Sequence, residues 1–274
     1  MFDTLIVHPV FNVLVFVYAI LPGHNFGLAI ILFTILVRLV MHPLVKKQLH
    51  HGKAMRELQP EVDAIKKSAG KDKQKAADLT MELYKERGVS PVASLGPVAI
   101  QVVVLIGLYT GLRHVAQDPG SILDNTYGWL KNFGGMKDLV ANIGNLDFTL
   151  FGAVDLSRAA TGSAGFYFPA FILVIGSVVA QYVMGKQTLP DNKNARSLRT
   201  ILAESKKGGK KVGQTEVQAV LNNFLKYLIP ALIFLLTYTS PSAIALYWLT
   251  AGIVGYVQQK RILEQDEAEI LSTK

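Results

Sequence analysis

The chain has no cysteine among its 274 residues. This absence excludes disulfides, thiol nucleophiles, cysteine-bound metal and a lipid-anchored cysteine. The long apolar segments contain no Asp or Glu, so they offer no carboxylate for proton transfer or metal binding. The first residues lack the basic region and the small-residue cleavage site of a secretory signal, and we expect them to be retained. We predict no resident metal, no cofactor and no enzymatic activity.

Half of the residues are hydrophobic, and they cluster into five long segments. A run of about 20 apolar residues in a helix is long enough to cross a hydrocarbon core of about 30 Å. We therefore predict an all-α, polytopic membrane protein with five transmembrane helices. The predicted spans are residues 23–44, 91–117, 166–186, 223–239 and 241–260.

Residues 1–22 precede the first predicted span and contain an apolar stretch of marginal length. His8, Pro9 and Asn12 interrupt this stretch. We predict an N-terminal amphipathic helix that lies in the membrane interface, with a sixth span as the alternative.

Lysine and arginine are unevenly distributed among the segments that join the spans. They are frequent in residues 45–90 and 187–222 and rare in residues 118–165. Because Lys and Arg accumulate on the cytoplasmic side, the first two segments are predicted inside and the third outside. The N-terminus is then outside, and the C-terminal tail 261–274 is cytoplasmic. The net charge of +8 lies mostly in these loops and not in a nucleic-acid motif, so we predict no specific nucleic-acid partner.

Residues 45–90 carry charges of both signs and two short apolar stripes. The stripes are Leu58, Val62 and Ile65, then Leu79 and Leu83, on either side of a break at Ser68-Ala69-Gly70. This pattern predicts a charged helical hairpin in the cytoplasm. The alternative is a solvated linker whose charges only set the topology. Residues 187–222 are predicted to form a mobile basic loop, and residues 118–165 an extracytoplasmic loop with small interfacial helices.

Arg38 lies inside the first predicted span, where a guanidinium is costly unless it meets water or a partner. The spans hold no carboxylate, so water is the remaining way to solvate it. Thr34, Arg38 and His42 recur at intervals of four residues and would share one helix face. This stripe favours a hydrophilic groove over the alternative, in which Arg38 snorkels to an interface near Lys46.

Other predicted spans carry polar or aromatic residues that could line the same groove. They are Gln101 in the second span, Ser177 and Gln181 in the third, and Tyr247, Trp248, Thr250 and Gln258 in the fifth. Taken singly, a buried Gln or Thr usually joins membrane helices to each other. Tyr247 and Trp248 are also consistent with anchors at the membrane interface.

Four stretches of the chain carry a family resemblance. They are FGLAIILFTILVRLVMHPL, ELQPEVDAIKK, MELYKERGVSPVASLGPVAIQ and SPSAIALYWLTAGIVGYVQQ. In this order they resemble the core of the YidC-type membrane protein insertases, which are bacterial and related to the mitochondrial and chloroplast inner-membrane insertases. The resemblance covers nearly all of residues 23–115 and 166–262.

The resemblance implies a five-helix core around a hydrophilic groove, open to the cytoplasm and to lipid but closed outside. Such a groove receives the hydrophilic part of a nascent membrane protein, and the apolar helix leaves sideways into lipid. By match of motif, Arg38 resembles the family's groove arginine. Gln101 and Gln181 resemble groove-side polar positions, and Tyr247 and Trp248 resemble aromatics that face the substrate. The implied location is the bacterial cell membrane.

The chain departs from the family pattern in three places. It lacks the large extracytoplasmic domain of Gram-negative members and the lipoprotein cysteine of many Gram-positive ones. Its end, EQDEAEILSTK, is short and mostly acidic, where some members have a long basic tail for ribosomes. We expect nascent membrane proteins and the lipid bilayer as partners. The ribosome, through the basic loops, and the Sec translocon are further candidates.

Two other classes of function compete with insertion. A small-solute transporter or channel is the main alternative, but it should show repeat symmetry, broken helices or a carboxylate near the midplane. An intramembrane hydrolase is disfavoured because His42 and His114 lie near span ends without a neighbouring nucleophile motif.

The absence of cysteine makes the predicted topology directly testable. Single cysteines at Ser68, Asn142 and Ser205 should react with an impermeant thiol reagent from the inside, the outside and the inside, respectively. Labelling of any one of them from the opposite side would contradict the five-span topology.

Overall fold

The structure is a computed structural model. It describes residue 4 and residues 7–70, 72–90, 96–117, 125–133, 147–163, 165–188 and 214–272. These residues form ten helices and one two-stranded sheet. The helices are α1 (His8–Ile20), α2 (Phe26–Val40), α3 (His42–Glu57), α4 (Gln59–Ala69), α5 (Lys73–Glu86), α6 (Gly96–Gln117), α7 (Gly128–Lys131), α8 (Phe168–Thr188), α9 (Gln214–Tyr238) and α10 (Ser242–Ser272). The strands are β1 (Thr149–Leu150) and β2 (Val154–Asp155). The all-α prediction is confirmed in part, because the described residues are mostly helical but include a short two-stranded sheet.

Helix α10 is the central helix of the bundle and packs against α2, α3, α6, α8 and α9. Small residues allow α10 to approach α8 closely, because a Cβ at Gly252 would lie only 2.7 Å from the Cβ of Ala180 in α8. Glycine and alanine at such positions let the backbones of membrane helices come together.

The region predicted as one span over residues 23–44 is divided. Helix α2 ends at Val40, Met41 follows, and α3 begins at His42 with its axis bent by 55°. Pro43 lies in the first turn of α3 and has no N–H, so the hydrogen-bond ladder of α2 cannot continue through it. The first span is therefore not one straight helix.

Helix α1 packs against α2 and α6. Two glycines of α6 make this contact close, because a Cβ at Gly107 would lie 2.7 Å from Val10 and one at Gly111 2.7 Å from Phe11. At 13 residues, α1 is about 20 Å long, shorter than the hydrocarbon core. Its length does not support a sixth span, and its location in the interface stays a prediction.

Length and apolar composition support the five spans only in part. Among the described residues, Phe168–Gln187 alone meets both criteria as a single straight helix, and the bent pair α2–α3 is a second if it counts as one span. His8–Ile20, Ala99–Gly111 and Lys226–Tyr238 are shorter apolar helices. In α10, the polar residues that lie between and after its apolar ones lower its mean hydropathy, among them Gln258 and Gln259.

Helices α4 and α5 lie side by side in the predicted cytoplasmic segment. The chain turns at Gly70, whose φ of +60° favours glycine, and the Asp72 side chain caps α5 by accepting from the backbone N–H of Lys75. Val62 is buried, and Arg87 pairs with Glu61 at 3.1 Å. The side of the membrane on which these helices lie stays a prediction.

The described part of the predicted outer segment contacts the N-terminal ends of α2 and α10. Leu150 of β1 lies against Gly27 of α2. The backbone N–H of Ser242, at the start of α10, donates to the carbonyl of Arg158 at 2.9 Å. Within 118–165, residues 118–124, 134–146 and 164 lie outside the described residues, as do residues 189–213 of the predicted mobile loop.

Candidate functional site: a buried polar cluster

Most of the predicted groove residues lie where α2, α6, α8 and α10 meet. We call this set the polar cluster. It consists of Thr34, Arg38, Gln101, Ser177, Gln181, Tyr247, Trp248, Thr250 and Gln258. Seven of them are buried, while Gln101 and Trp248 are partly exposed. Packing of α10 against α2, α6 and α8 thus brings together residues that are up to 224 positions apart in the chain (Thr34 to Gln258, 258 − 34).

Arg38 is the only charged member of this polar cluster, and its side chain is 7% exposed. Its guanidinium lies between α8 and α10, with Nη2 4.0 Å from the sulfur of Met184. No carboxylate among the described residues pairs with it, and its Nε has no hydrogen-bond partner among them. This enclosed position does not match a side chain that snorkels into the aqueous interface.

Three glutamines of the polar cluster each join two helices. Gln258 Nε2 donates to the carbonyl of Arg38 at 3.0 Å. Gln181 Nε2 donates to the carbonyl of Trp248 at 3.0 Å, and Gln101 Nε2 donates to the hydroxyl of Tyr247. These contacts match the structural alternative, in which buried amides hold membrane helices together.

The same contacts leave polar atoms without partners. Within the described residues, Arg38 Nε, Trp248 Nε1 and Gln258 Oε1 are buried and make no hydrogen bond. Buried donors and acceptors are almost always paired, with protein or with water. The polar cluster therefore has unused capacity to bind water or a polar group.

The hydroxyl members of the polar cluster add less to this capacity. Thr34 Oγ1 donates to the carbonyl of Ile30 at 2.6 Å, and Ser177 Oγ donates to that of Val174 at 2.7 Å. Both hydroxyls are thus satisfied within their own helices. Thr250, on α10, is buried as well.

His42 does not join the polar cluster. It lies beyond the break at Met41, at the start of α3, and it is exposed. The expectation that it shares a face with Thr34 and Arg38 assumed a continuous helix. Pro43 is the residue that could have corrected this expectation, since proline favours the first turn of a new helix.

Two residues that contact the guanidinium of Arg38 were not predicted. Met184 of α8 supplies the nearby sulfur, and Gly255 of α10 leaves the space that the guanidinium fills. Neither is polar, so a search for polar stripes could not identify them. A glycine inside a helical segment was the available signal at position 255.

An apolar cleft of about 400 Å³ lies between α8 and α10. Its lining includes Val179 and Val183 of α8 and Ile253 of α10, all of them exposed. Residues of the cleft lie next to members of the polar cluster in the chain, as Ala180 does to Gln181. Helices α8 and α10, which flank the Arg38 guanidinium, therefore also present an apolar surface.

Comparison with known proteins agrees with the resemblance seen in the sequence. The sequence model of the 60Kd inner membrane protein family matches residues 16–269. The chain belongs to this family. The resemblance to YidC-type insertases is thereby confirmed.

Several relatives are similar over most of this chain. Membrane protein insertase MisCA of Bacillus subtilis is 28% identical over 260 residues, which cover 93% of this chain and 77% of that protein. Membrane protein insertase YidC of Fusobacterium nucleatum is 26% identical over 242 residues, or 88% of this chain and 87% of that protein. Inner membrane protein ALBINO3, chloroplastic, of Arabidopsis thaliana is 28% identical over 240 residues, which cover 86% of this chain and 46% of that protein.

A solved structure is also similar, that of an active YidC insertase with its first transmembrane domain resolved. The TM-score is 0.48 at 22% sequence identity, and the match covers 93% of this chain and 45% of that one. This chain thus spans about half the length of the chloroplast relative and of the solved insertase.

The contact between Gln101 and Tyr247 predicts a measurable coupling. Tyr247→Phe removes the hydroxyl and keeps the buried ring, so the free energy of unfolding should fall by about 0.6 kcal/mol, as for other hydrogen bonds between membrane helices. In a Gln101→Leu background the same substitution should have almost no effect. Unfolding in one detergent would measure both, and an equal loss in the two backgrounds would show that the bond is absent.

Proposed function

We propose that this protein is a membrane protein insertase that works without a covalent reaction. Its relatives MisCA and YidC are membrane protein insertases by name. The observation that carries the proposal is Arg38, a buried cation without a carboxylate partner among the described residues, beside buried polar atoms that make no hydrogen bond. Such an arrangement suits the transient binding of a polar guest.

The proposed mechanism lowers the barrier for a hydrophilic segment that enters the bilayer. Such a segment loses its hydrogen bonds to water, which is costly in hydrocarbon. A groove that holds water and Arg38 within the bundle would replace part of that hydration. The segment would then cross a shorter apolar distance before it reaches water on the other side.

A guest must displace some of the side chains that nearly enclose Arg38. Met184 is the side chain best suited to move, because methionine is unbranched and flexible. Opening between α2 and α8 would expose Arg38 Nε and Gln258 Oε1 to the guest. The guest could then accept a hydrogen bond from Arg38 Nε and donate one to Gln258 Oε1. We propose that this opening forms the hydrophilic groove.

The charge of Arg38 would favour clients with acidic translocated tails, because a cation at the end of a low-dielectric groove attracts anions. The apolar cleft between α8 and α10 would offer the client's hydrophobic helix a surface on its way into lipid. The two surfaces share α8 and α10, so both parts of a client could be held at once. Release of the helix into lipid would complete insertion.

The proposed clients are nascent membrane proteins, and α4 with α5 is the proposed receiving platform in the cytoplasm. Among the described elements, these two helices pack mainly on each other and on α3. They can therefore move without disturbing the polar cluster. Their exposed lysines are the proposed contact for the ribosome, and the Sec translocon remains a candidate partner.

One observation favours a small-solute transporter instead. The helix break at Met41 is a feature that transporter binding sites often have. The break, however, lies between Arg38 and the basic segment 45–90. In the part of the chain that the structure describes, Arg38 has no carboxylate partner that could carry protons. Solute flux measured in the vesicles used for insertion assays would separate the two functions.

The role of Arg38 can be tested with two substitutions and two clients. Arg38→Ala should slow insertion of a client with an acidic tail by about tenfold, equivalent to about 1.4 kcal/mol, whereas Arg38→Lys should retain much of the activity. A client with a neutral tail should be less affected, since it depends on the groove's water more than on its field. Insertion into vesicles, followed by protease protection of the tail, gives the measurement.

The control for a lost positive charge is Lys260→Ala. Lys260 is exposed and pairs with Glu264 at 3.7 Å on the surface of α10, so its loss should leave both clients unaffected. Near-normal insertion of both clients by both Arg38 variants would refute the groove-cation proposal.

A further inference from the structure

Two residues of α10 contact opposite ends of Arg38. Gln258 binds its backbone carbonyl, and Gly255, about one turn earlier, lies against its guanidinium. Residues three apart on a helix lie on the same face, so α10 presents both contacts together. The two positions therefore act on the backbone and the side chain of the same residue.

The Gln258 contact fixes the end of α2. The last four carbonyls of a helix have no partner within it, and Arg38 contributes one of those four because α2 ends at Val40. The Met41 N–H bonds the carbonyl of Val37 at 2.9 Å, and Gln258 Nε2 bonds that of Arg38 at 3.0 Å. Gln258 thus caps α2 just before the 55° bend and sets the position from which the Arg38 side chain extends.

The Gly255 contact leaves room for the guanidinium. A Cβ at position 255 would lie 3.0 Å from Arg38 Nη1, 3.1 Å from its Cζ and 2.6 Å from the sulfur of Met184. The guanidinium and the Met184 sulfur therefore both lie against the α10 backbone at Gly255. Any side chain at position 255 would push one of these two groups away.

The neighbouring glycine of α10 shows that Gly255 is not simply a helix-packing position. At Gly252, an added Cβ would lie 2.7 Å from the Cβ of Ala180, 3.0 Å from Gln181 Nε2 and 3.1 Å from the backbone carbon of Ala180. Gly252 thus allows the backbones of α8 and α10 to approach, which is the usual use of glycine in membrane helices. At Gly255 the nearest atoms are instead the ends of the Arg38 and Met184 side chains.

We propose that Gly255 and Gln258 are positioning residues that hold the Arg38 guanidinium between α8 and α10. They act through Arg38 and not on the client. The inference rests on the proposed function for its effect on insertion, but the placement of Arg38 that it describes is independent of that function. A displaced guanidinium should weaken insertion of acidic-tailed clients more than that of neutral-tailed ones.

The first test is Gly255→Ala in the full chain. Insertion of an acidic-tailed client should slow by about threefold or more, an effect typical of substitutions at residues in contact. Insertion of a neutral-tailed client should change little. In an Arg38→Ala background the same substitution should cause no further loss. Adding Met184→Ala should restore insertion by Gly255→Ala, because it frees the space that the new Cβ takes.

Matched controls are available in the same helices. Gly185→Ala adds a methyl group next to Met184 in sequence where nothing lies within 4 Å, and it should leave both clients unaffected. Gly252→Ala should reduce insertion of both clients alike and should add to the effect of Arg38→Ala. If Gly255→Ala behaves as Gly252→Ala does, the positioning role is wrong.

Gln258→Met tests the second contact, including the case in which Gly255→Ala fails to fold. The methionine side chain has a similar length but cannot donate a hydrogen bond to the Arg38 carbonyl. Insertion of acidic-tailed clients should again be affected more than that of neutral-tailed ones, and the substitution should have no effect in an Arg38→Ala background. Equal loss for both clients, or a loss that persists in Arg38→Ala, would overturn the proposal.

A measurement that needs no client separates this inference from the proposed function. The shifts in unfolding temperature caused by Gly255→Ala and Arg38→Ala in detergent should be non-additive, because the two residues are in contact. Non-additive shifts in a protein that inserts no client would refute the insertase function but support the placement of Arg38. Additive shifts would overturn the positioning role whether or not the protein inserts clients.

Discussion

A buried guanidinium constrains the arrangement of the helices around it. Arg38 is 7% exposed, and no carboxylate among the described residues neutralises it. Burial of an unpaired charge is costly, so the surrounding groups must offset that cost or the helices must separate. The groups around it include the Met184 sulfur, the backbone of Gly255, the ring of Tyr247 and the amide of Gln258 at the Arg38 carbonyl. None of these groups is an anion, and we propose that the charge stays available to a guest.

Helix α10 connects this site to the segment beyond the bend. Its later part packs Ile262 against Met41, Val45 and Leu49, and Asp266 lies 3.0 Å from His50 of α3. The same helix thus contacts α2 before the bend and α3 after it. Movement of α3 relative to α10 would therefore act on the end of α2, where Arg38 lies.

The sequence carries enough information for the helices and for most members of the polar cluster. Long apolar segments predict helices because no other short-range structure satisfies the backbone in lipid. Glutamines, serines and threonines within them stand out by polarity, and the structure brings Gln101, Gln181 and Gln258 into contacts between helices. The bend at Met41 was missed because the apolar pattern runs through it, and this placed His42 wrongly. Met184 and Gly255 were missed because their contribution is shape, which depends on how α8 and α10 pack.

We propose that the polar cluster, with Arg38 as its one cation, promotes insertion without a covalent reaction. The most direct measurement uses vesicles that contain only this protein, and a single-span client with an acidic N-terminal tail. We expect the tail to become protected from external protease in these vesicles, without nucleotide or another protein, at a rate well above that in protein-free vesicles. Equal protection in vesicles with and without the protein would contradict it.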